Sequence, residues 1–330
     1  MSKLKDTFGR TIDDLRISLT DRCNFRCVYC MPAEGLPWLP KREILTYEEI
    51  LRLAGVFIGL GVRTVRLTGG EPLIRQDIDV LIAGLTHLDP GLDLSMTTNG
   101  FFLTEKVERL AAAGLKRINV SLDSLTPERF ERMVRRDGQL VFKILDGMRR
   151  ARQIGLSPIK VNCVVMRGYN DDELTEFVRL GREEGFQVRF IEYMPLDAQG
   201  EWSMQTVVPG AEILDRIHAV FPLIRERRNA SEPATVYQFA DGRGSIGVIA
   251  SVTEPFCDHC NRVRITADGH LRTCLFSLSE HNLKGLLRSG ATDEDLGDFI
   301  VAAVWKKEAG HKINQPDFIK PDRSMSVIGG

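Results

Sequence analysis

The sequence predicts an α/β fold built on a parallel sheet. Between residues 14 and 195, six short apolar segments alternate with amphipathic helical ones. Several of the six are nearly continuous apolar runs, as in parallel strands covered by helices. Polar residues recur at their C-terminal ends, where a barrel of this class carries its active site. Periodicity leaves two architectures open, a doubly wound sheet and a barrel. The length of 330 residues and 43% hydrophobic content allow one large domain with a sizeable core.

Residues 14–20 (DLRISLT) read as the first strand. Thr46 opens a helix through TYEEILRLAGVFIGLG, and Glu49 three positions on completes a capping box. A strand at 64–70 precedes a helix at 77–88, and a strand at 92–100 precedes a helix at 104–115. The strand at 117–124 leads into a helix with Thr126 as N-cap and Pro127 at the first helical position. A further helix covers 141–155; a strand at 158–166 precedes a helix at 171–185, and 187–195 is the sixth strand. After residue 196 the pattern changes. Short strands (TVYQFA, GSIGVIAS) lead to a hairpin that turns at Asp268 and Gly269, between VRIT and HLRTC. The expected organisation is a core over 1–200 and an extension over 201–330, packed as one unit.

With 44 basic and 45 acidic residues, net charge −1, the chain lacks the basic excess of a general nucleic-acid binder. No apolar run approaches the about 20 residues of a membrane span. The first residues, MSKLKDTFGRTIDD, lack the apolar centre of a secretory signal. The expectation is a cytoplasmic protein with reduced thiols and neither membrane nor nucleic acid as a partner.

Seven cysteines fall at 23, 27, 30, then 163, then 257, 260 and 274. A closed zinc site wants four ligands. Three thiolates can instead hold three irons of a four-iron cube and leave the fourth iron open. A Cys3His zinc site is the alternative for Cys23, Cys27 and Cys30, but no histidine precedes His87. At Cys257, Cys260 and Cys274, zinc with His259 or His270 stays open beside iron–sulfur. Arg262 and Arg264 lie on one face of the strand after Cys260, an anion site beside a metal. Cys163, mid-strand among apolar neighbours, reads as a buried thiol. The polar strand ends are Thr68 to Glu71, Thr97 to Gly100, Ser121 to Ser124 and Glu192 to Met194. They are turn formers or the rim of a site.

The first triplet, with Tyr29 before its last cysteine, follows the first strand; the run GGEP (Gly69, Gly70, Glu71, Pro72) follows the second. This combination resembles the radical S-adenosylmethionine superfamily. The resemblance selects a partial (βα)6 TIM-like barrel with a C-terminal extension. It implies a [4Fe–4S] cluster on Cys23, Cys27 and Cys30 whose open iron binds S-adenosylmethionine, with Gly69, Gly70 and Glu71 at the methionine amino group. One electron then cleaves the sulfonium to a 5′-deoxyadenosyl radical.

Both triplets, the pattern C-x2-C-N-R-x-R-x-T-x-x-G from Cys257 to Gly269, and the terminal Gly-Gly resemble the GTP 3′,8-cyclase family of molybdenum-cofactor biosynthesis. That resemblance spans residues 16–330. It implies a second [4Fe–4S] cluster on Cys257, Cys260 and Cys274 that binds the guanine of GTP. It places Tyr29, Gly70, Ser121, Arg189 and Met194 at S-adenosylmethionine. It places Arg16, Arg66, Thr97, Lys160, Arg262, Val263 and Arg264 at GTP, and Arg262, Arg264, Gly329 and Gly330 at the catalytic centre. The implied reaction removes the ribose 3′ hydrogen and joins C3′ to C8, giving (8S)-3′,8-cyclo-7,8-dihydro-GTP. A flavodoxin- or ferredoxin-like reductant would supply electrons, the next pathway enzyme would take the product, and the chain would be a monomer or homodimer. In one departure, Thr64 stands where many members carry Lys, and the adjacent Arg63 should face the other side of the strand. Two rivals remain at this point: a peptide-modifying radical enzyme with an auxiliary cluster, and a metal-binding interaction protein or redox sensor.

Overall fold

The computed structural model describes residues 3–226 and 231–329. The first half alternates strand and helix: β1 (Asp14–Ser18), α1 (Tyr47–Gly59), β2 (Thr64–Thr68), α2 (Ile78–Leu88), β3 (Asp93–Thr98), α3 (Leu103–Ala112) and β4 (Arg117–Ser121). Then come α4 (Pro127–Val134), α5 (Leu140–Gln153), β5 (Ile159–Val165), α6 (Leu174–Glu184) and β6 (Gln187–Glu192). The remainder adds α7 (Gly210–His218), β7 (Leu223–Arg225), β8 (Thr235–Phe239), β9 (Ser245–Ile249), β10 (Arg262–Ile265), β11 (His270–Arg272) and β12 (His281–Asn282). It closes with α8 (Leu283–Arg288), α9 (Asp293–Trp305) and α10 (Met325–Ile328).

Strands β1 to β6 lie side by side in chain order, all parallel. A doubly wound sheet reverses its order part-way. Sequential order with right-handed crossovers keeps all the helices on one face, which is the winding of a barrel. The sheet is larger than the six strands read from sequence. β10 pairs parallel with β1 at one edge, and β9 pairs parallel with β6 at the other. Antiparallel β11 and β12 continue beyond β10, and β8 and β7 beyond β9, giving a mixed sheet of twelve strands among the described residues. The C-terminal region thus supplies strands to both edges of the partial barrel.

Alternation within the strands separates core from cavity. In β5 the odd positions Ile159, Val161, Cys163 and Val165 are buried, while Lys160, Asn162 and Val164 are partly exposed. The buried set joins Leu15, Ile17, Val65, Leu67 and Val120 of the other strands with Phe57, Leu81, Ile144 and Met148 of the helices in one core. Each such fully buried large side chain contributes about 1.5–3 kcal/mol. Cys163 is a buried thiol in this core.

The capping box at α1 forms: Glu49 N donates to Thr46 Oγ1 (3.2 Å), and Thr46 N to Glu49 Oε2 (2.8 Å). The start of α4 differs from expectation. Pro127 takes the first helical turn, but Thr126 makes no side-chain cap. Its hydroxyl donates to Glu173 (3.1 Å), whose carboxylate also receives Ser124 Oγ and the Leu125 amide. That buried carboxylate belongs to the turn before α6, which therefore begins at Leu174, later than the 171 expected. Helices α7, α8 and α9 were not anticipated, although Thr292 and Asp295 form a capping box at α9. Among the described residues no helix is long and apolar enough to cross a membrane.

Candidate active site

A cavity of about 300 Å³ opens at the C-terminal ends of the barrel strands, and all six cysteines of the two triplets line it. The first triplet lies on the loop after β1, with Cys30 N donating to Cys27 O (2.9 Å). That loop is pinned to α4 by Arg26 N to Val134 O (3.0 Å) and Val28 N to Met133 O (3.0 Å). The second triplet straddles β10 and β11. Cys257 and Cys260 share a tight turn before β10, and Cys274 follows β11, folded back by the hairpin at Asp268 and Gly269. Tyr29, Gly69, Gly70, Ser121, Arg189, Met194, Arg16, Arg66, Thr97, Arg262 and Arg264 all reach the same cavity.

Gly69 and Gly70 are required for close packing against the chain itself. A Cβ on Gly69 would stand 2.6 Å from Thr20 O, and one on Gly70 would stand 2.3 Å from Arg22 O. Gly70 N donates to Thr20 O (2.7 Å) and Glu71 N to Arg22 O (2.8 Å), so the GGEP run is stitched to the segment leading into Cys23. Glu71 does not face the cavity: it is 0% exposed. Its carboxylate accepts from Leu73 N (3.0 Å), Thr98 Oγ1 (2.7 Å) and Asn99 N (2.7 Å), tying the end of β2 to the end of β3. Burial pushes this carboxyl up to about 7.

Across β10, β1, β2 and β3 the register aligns Arg264, Arg16, Arg66 and Ser95 in one row. Like charges on adjacent strands repel. Burial, with repulsion among neighbours, lowers Arg16 and Arg264 to about 9 and Arg66 to about 10. Burial lowers Arg189 to about 10 and Lys160 to about 7, and Arg117 and Arg189 press the lysine in the same direction. Asp14 and Glu232 offset only part of this. Among the described residues, buried Arg16 Nε, Arg189 Nε and the Asn119 amide nitrogen are donors without a hydrogen-bond partner. Buried cations with unpaired donors suit an anionic ligand.

Val263 departs from expectation. It faces the hydrophobic core, so only its backbone is available to the cavity. Lys160 lies beside the cavity without lining it. Arg63 turns outward, donating to Val62 O (3.0 Å) beyond α1, and Thr64 pairs in register with Asp14. Gly329 enters the barrel mouth: its carbonyl accepts from Arg264 Nη1 (3.0 Å), with Thr68 Oγ1 3.3 Å away. Its φ of +83° and a would-be Cβ 2.5 Å from Ser18 Cβ demand glycine there. Gly330 lies outside the described residues.

Sequence reasoning missed Asp123, Ser326 and Lys307. Asp123 accepts from Tyr29 Oη (2.8 Å) and Val164 N (2.8 Å), and burial lifts it to about 6. Its only signal was its place in a polar strand end. Ser326 of the returning tail hydrogen-bonds Cys30. Among the described residues, no three His, Cys, Asp or Glu side chains converge tightly enough for one metal ion. A four-iron cube places one thiolate at each of three separate corners, so convergence on a point is not what it needs.

Comparison with known proteins agrees with this geometry. The model of the Radical SAM superfamily matches residues 17–181, and that of Molybdenum Cofactor Synthesis C matches 186–313. A GTP 3′,8-cyclase of Streptomyces coelicolor is 46% identical over 99% of this chain and 96% of its own length. A mitochondrial GTP 3′,8-cyclase of Arabidopsis thaliana is 45% identical over 99% of this chain and 83% of its own. The crystal structure of Streptococcus suis SuiB bound to S-adenosylmethionine shares the fold, with a TM-score of 0.61 at 16% identity over 95% of this chain and 76% of that one. The chain therefore belongs to the GTP 3′,8-cyclase family, within the radical S-adenosylmethionine superfamily.

Proposed function

We propose that this chain cyclises GTP to (8S)-3′,8-cyclo-7,8-dihydro-GTP, the first step of molybdenum-cofactor biosynthesis. The observation that carries this reading is the buried arginine row set between two cysteine triplets in one cavity. S-Adenosylmethionine with a [4Fe–4S] cluster, when bound, supplies the 5′-deoxyadenosyl radical that takes the ribose 3′ hydrogen. Cys23, Cys27 and Cys30 would hold that cluster, and Tyr29, Gly69, Gly70, Ser121 and Met194 would orient the cofactor beside it. Cys257, Cys260 and Cys274 would hold a second cluster in the same cavity. Arg16, Arg66 and Lys160 bind the triphosphate by charge-assisted hydrogen bonds. Arg189, whose charge neighbours include Arg66 and Lys160, joins them.

Arg262 and Arg264 orient the nucleotide, and Arg264 also fixes the Gly329 carbonyl at the barrel mouth. The protein supplies position and exclusion of water; the hard chemistry belongs to its cofactors. The chain acts as one catalytic unit, residues 1–200 as barrel and 201–330 as extension, with a small one-electron carrier as donor. The test is anaerobic. The protein is reconstituted with iron and sulfide, reduced, given S-adenosylmethionine, and compared with GTP, ATP and no nucleotide. Formation of 5′-deoxyadenosine that depends on GTP, with the cyclised nucleotide as product, is expected. Cleavage indifferent to GTP would remove the substrate assignment.

A further inference from the structure

Lys307 lies just beyond α9 and is 3% exposed. Among the described residues no carboxylate forms an ion pair with its ammonium. Its Nζ donates instead to two backbone carbonyls, Arg262 O (2.9 Å) and Thr273 O. The first follows Cys260 by two residues and the second precedes Cys274 by one. The ammonium therefore sits at the seam between the two arms of the second triplet. An uncompensated buried ammonium costs several kcal/mol, which neutral carbonyls only partly relieve.

Its two carbonyl partners belong to the segments that carry Cys260 and Cys274, so its charge lies beside the triplet that would supply the thiolates. The nearby Arg10 plays a different part. Its charge is met by Asp6 (2.5 Å), and its Nη1 clamps Cys257 O (2.8 Å) to Ala309 O (2.7 Å). Glu308 opposes Lys307 at Cys274, but its carboxylate is engaged by the Thr273 and Ser277 hydroxyls. The cations at the first triplet are only partly buried: Arg26 Nη1 donates to Cys23 O (2.8 Å) and Phe25 O (2.8 Å), Arg136 Nε to Asn24 O (2.7 Å) and Arg135 Nη1 to Met31 O (3.0 Å), while the buried Asp123 accepts from Tyr29 Oη (2.8 Å).

We propose that Lys307 is a positioning residue whose buried charge makes a cluster at the second iron–sulfur site easier to reduce than it would be without that charge. The inference rests on the reading that Cys257, Cys260 and Cys274 hold a [4Fe–4S] cluster. Three thiolates on a core of charge 2+ carry net charge −1, and one added electron makes this −2. A fixed cation beside the site stabilises the doubly charged state more than the singly charged one. Charge and hydrogen bonding around the sulfurs are known levers on cluster potential.

The test is an anaerobic redox titration of the loaded full-length protein, followed by electron paramagnetic resonance. The protein in which Cys23, Cys27 and Cys30 are all replaced by Ala identifies which couple belongs to the second site. Lys307→Gln keeps donors for the two carbonyls and removes the charge; Lys307→Arg keeps the charge. In Lys307→Gln the second couple is expected to move to more negative potential. The oxidised-to-reduced ratio at a fixed potential should rise about tenfold, about 59 mV for one electron, with the first couple unmoved. Lys307→Arg should titrate like the unsubstituted protein. Loading of iron by Lys307→Arg but not by Lys307→Gln would also support a charge role. A second couple unmoved in Lys307→Gln, or loading lost equally in both variants, overturns it. If the triple-Ala protein with Lys307 intact takes up no iron, the second cluster itself falls, and the assignment falls with it.

Discussion

At the first triplet, burial lifts Cys23 to about 11 and Cys30 to about 12, with Glu71 and Asp123 pushing the same way. At the second, burial also pushes Cys260 up, but Arg262, Lys307 and hydrogen bonds from Arg262 outweigh it and hold the thiol at about 6. The two triplets share a cavity and a cysteine count. They differ in their buried ionisable neighbours: the carboxyls of Glu71 and Asp123 at the first, the ammonium of Lys307 at the second, while burial raises Cys257 and Cys274 as it raises the first triplet. Buried carboxylates oppose, and a buried cation favours, negative charge on the sulfurs beside them, so equal cysteine counts do not make the two sites alike.

Cys27→Ser should abolish 5′-deoxyadenosine formation. Cys274→Ser should leave slow cleavage of S-adenosylmethionine at the first site and lose GTP turnover. Normal GTP turnover in Cys274→Ser would show that the two sites do not divide the work. Arg16→Ala, at the centre of the arginine row, removes charged hydrogen bonds worth about 1.5–3 kcal/mol each. It should weaken GTP binding about 10- to 100-fold while the affinity for S-adenosylmethionine stays put, as read by calorimetry. An equal loss for both ligands would mean that the row is structural.

Gly70→Ala would drive a methyl into Arg22 O at 2.3 Å, where backbone must yield. A loss of about 1–3 kcal/mol in stability and poorer iron loading at the first triplet only are expected. Iron counting on proteins that retain one triplet each decides this. The smallest effect is a pH dependence at the first site. Asp123 titrates at about 6 folded against an ordinary 3.8. A folded value above the unfolded one gives stability that is complete below about 3.8 and is lost as pH rises through about 6. Asp123→Asn should therefore gain relative to the cluster-free parent as pH rises from about 4 to about 6, by at most about 3 kcal/mol, and hold that gain above. Parallel melting curves across that range would dismiss a buried, ionising Asp123.

Much of the barrel was legible because its signals are local. The capping box at Thr46, the Pro127 helix start, the alternation in β5 and the turn at Asp268 and Gly269 each lie within a few residues. The two cysteine triplets were legible for the same reason, since their spacing within each arm is short. The hydrogen bonds of Glu71 were not legible because its sequence shows an acid after two glycines, whereas its partners Thr98 and Asn99 come from the next strand. The burial of Val263 was not legible because a motif does not say which face of a strand each residue takes. Lys307 gave no signal, since nothing near it in sequence marks it as buried.

Six strands, five of them followed by helices, two thiol triplets and a pair of alternating arginines are written in the chain, because period, spacing and capping are short-range properties. Folding in three dimensions docks β10 on β1 across some 250 residues of chain, which sets Arg264 beside Arg16 and draws Gly329 into the barrel mouth. It alone decided which charges surround which triplet: Glu71 and Asp123 at one, Lys307 and Arg262 at the other. The physical reason is that pairing an edge strand depends on which hydrogen-bonding edge the folded barrel leaves open. No local pattern carries that choice; the packed sheet makes it.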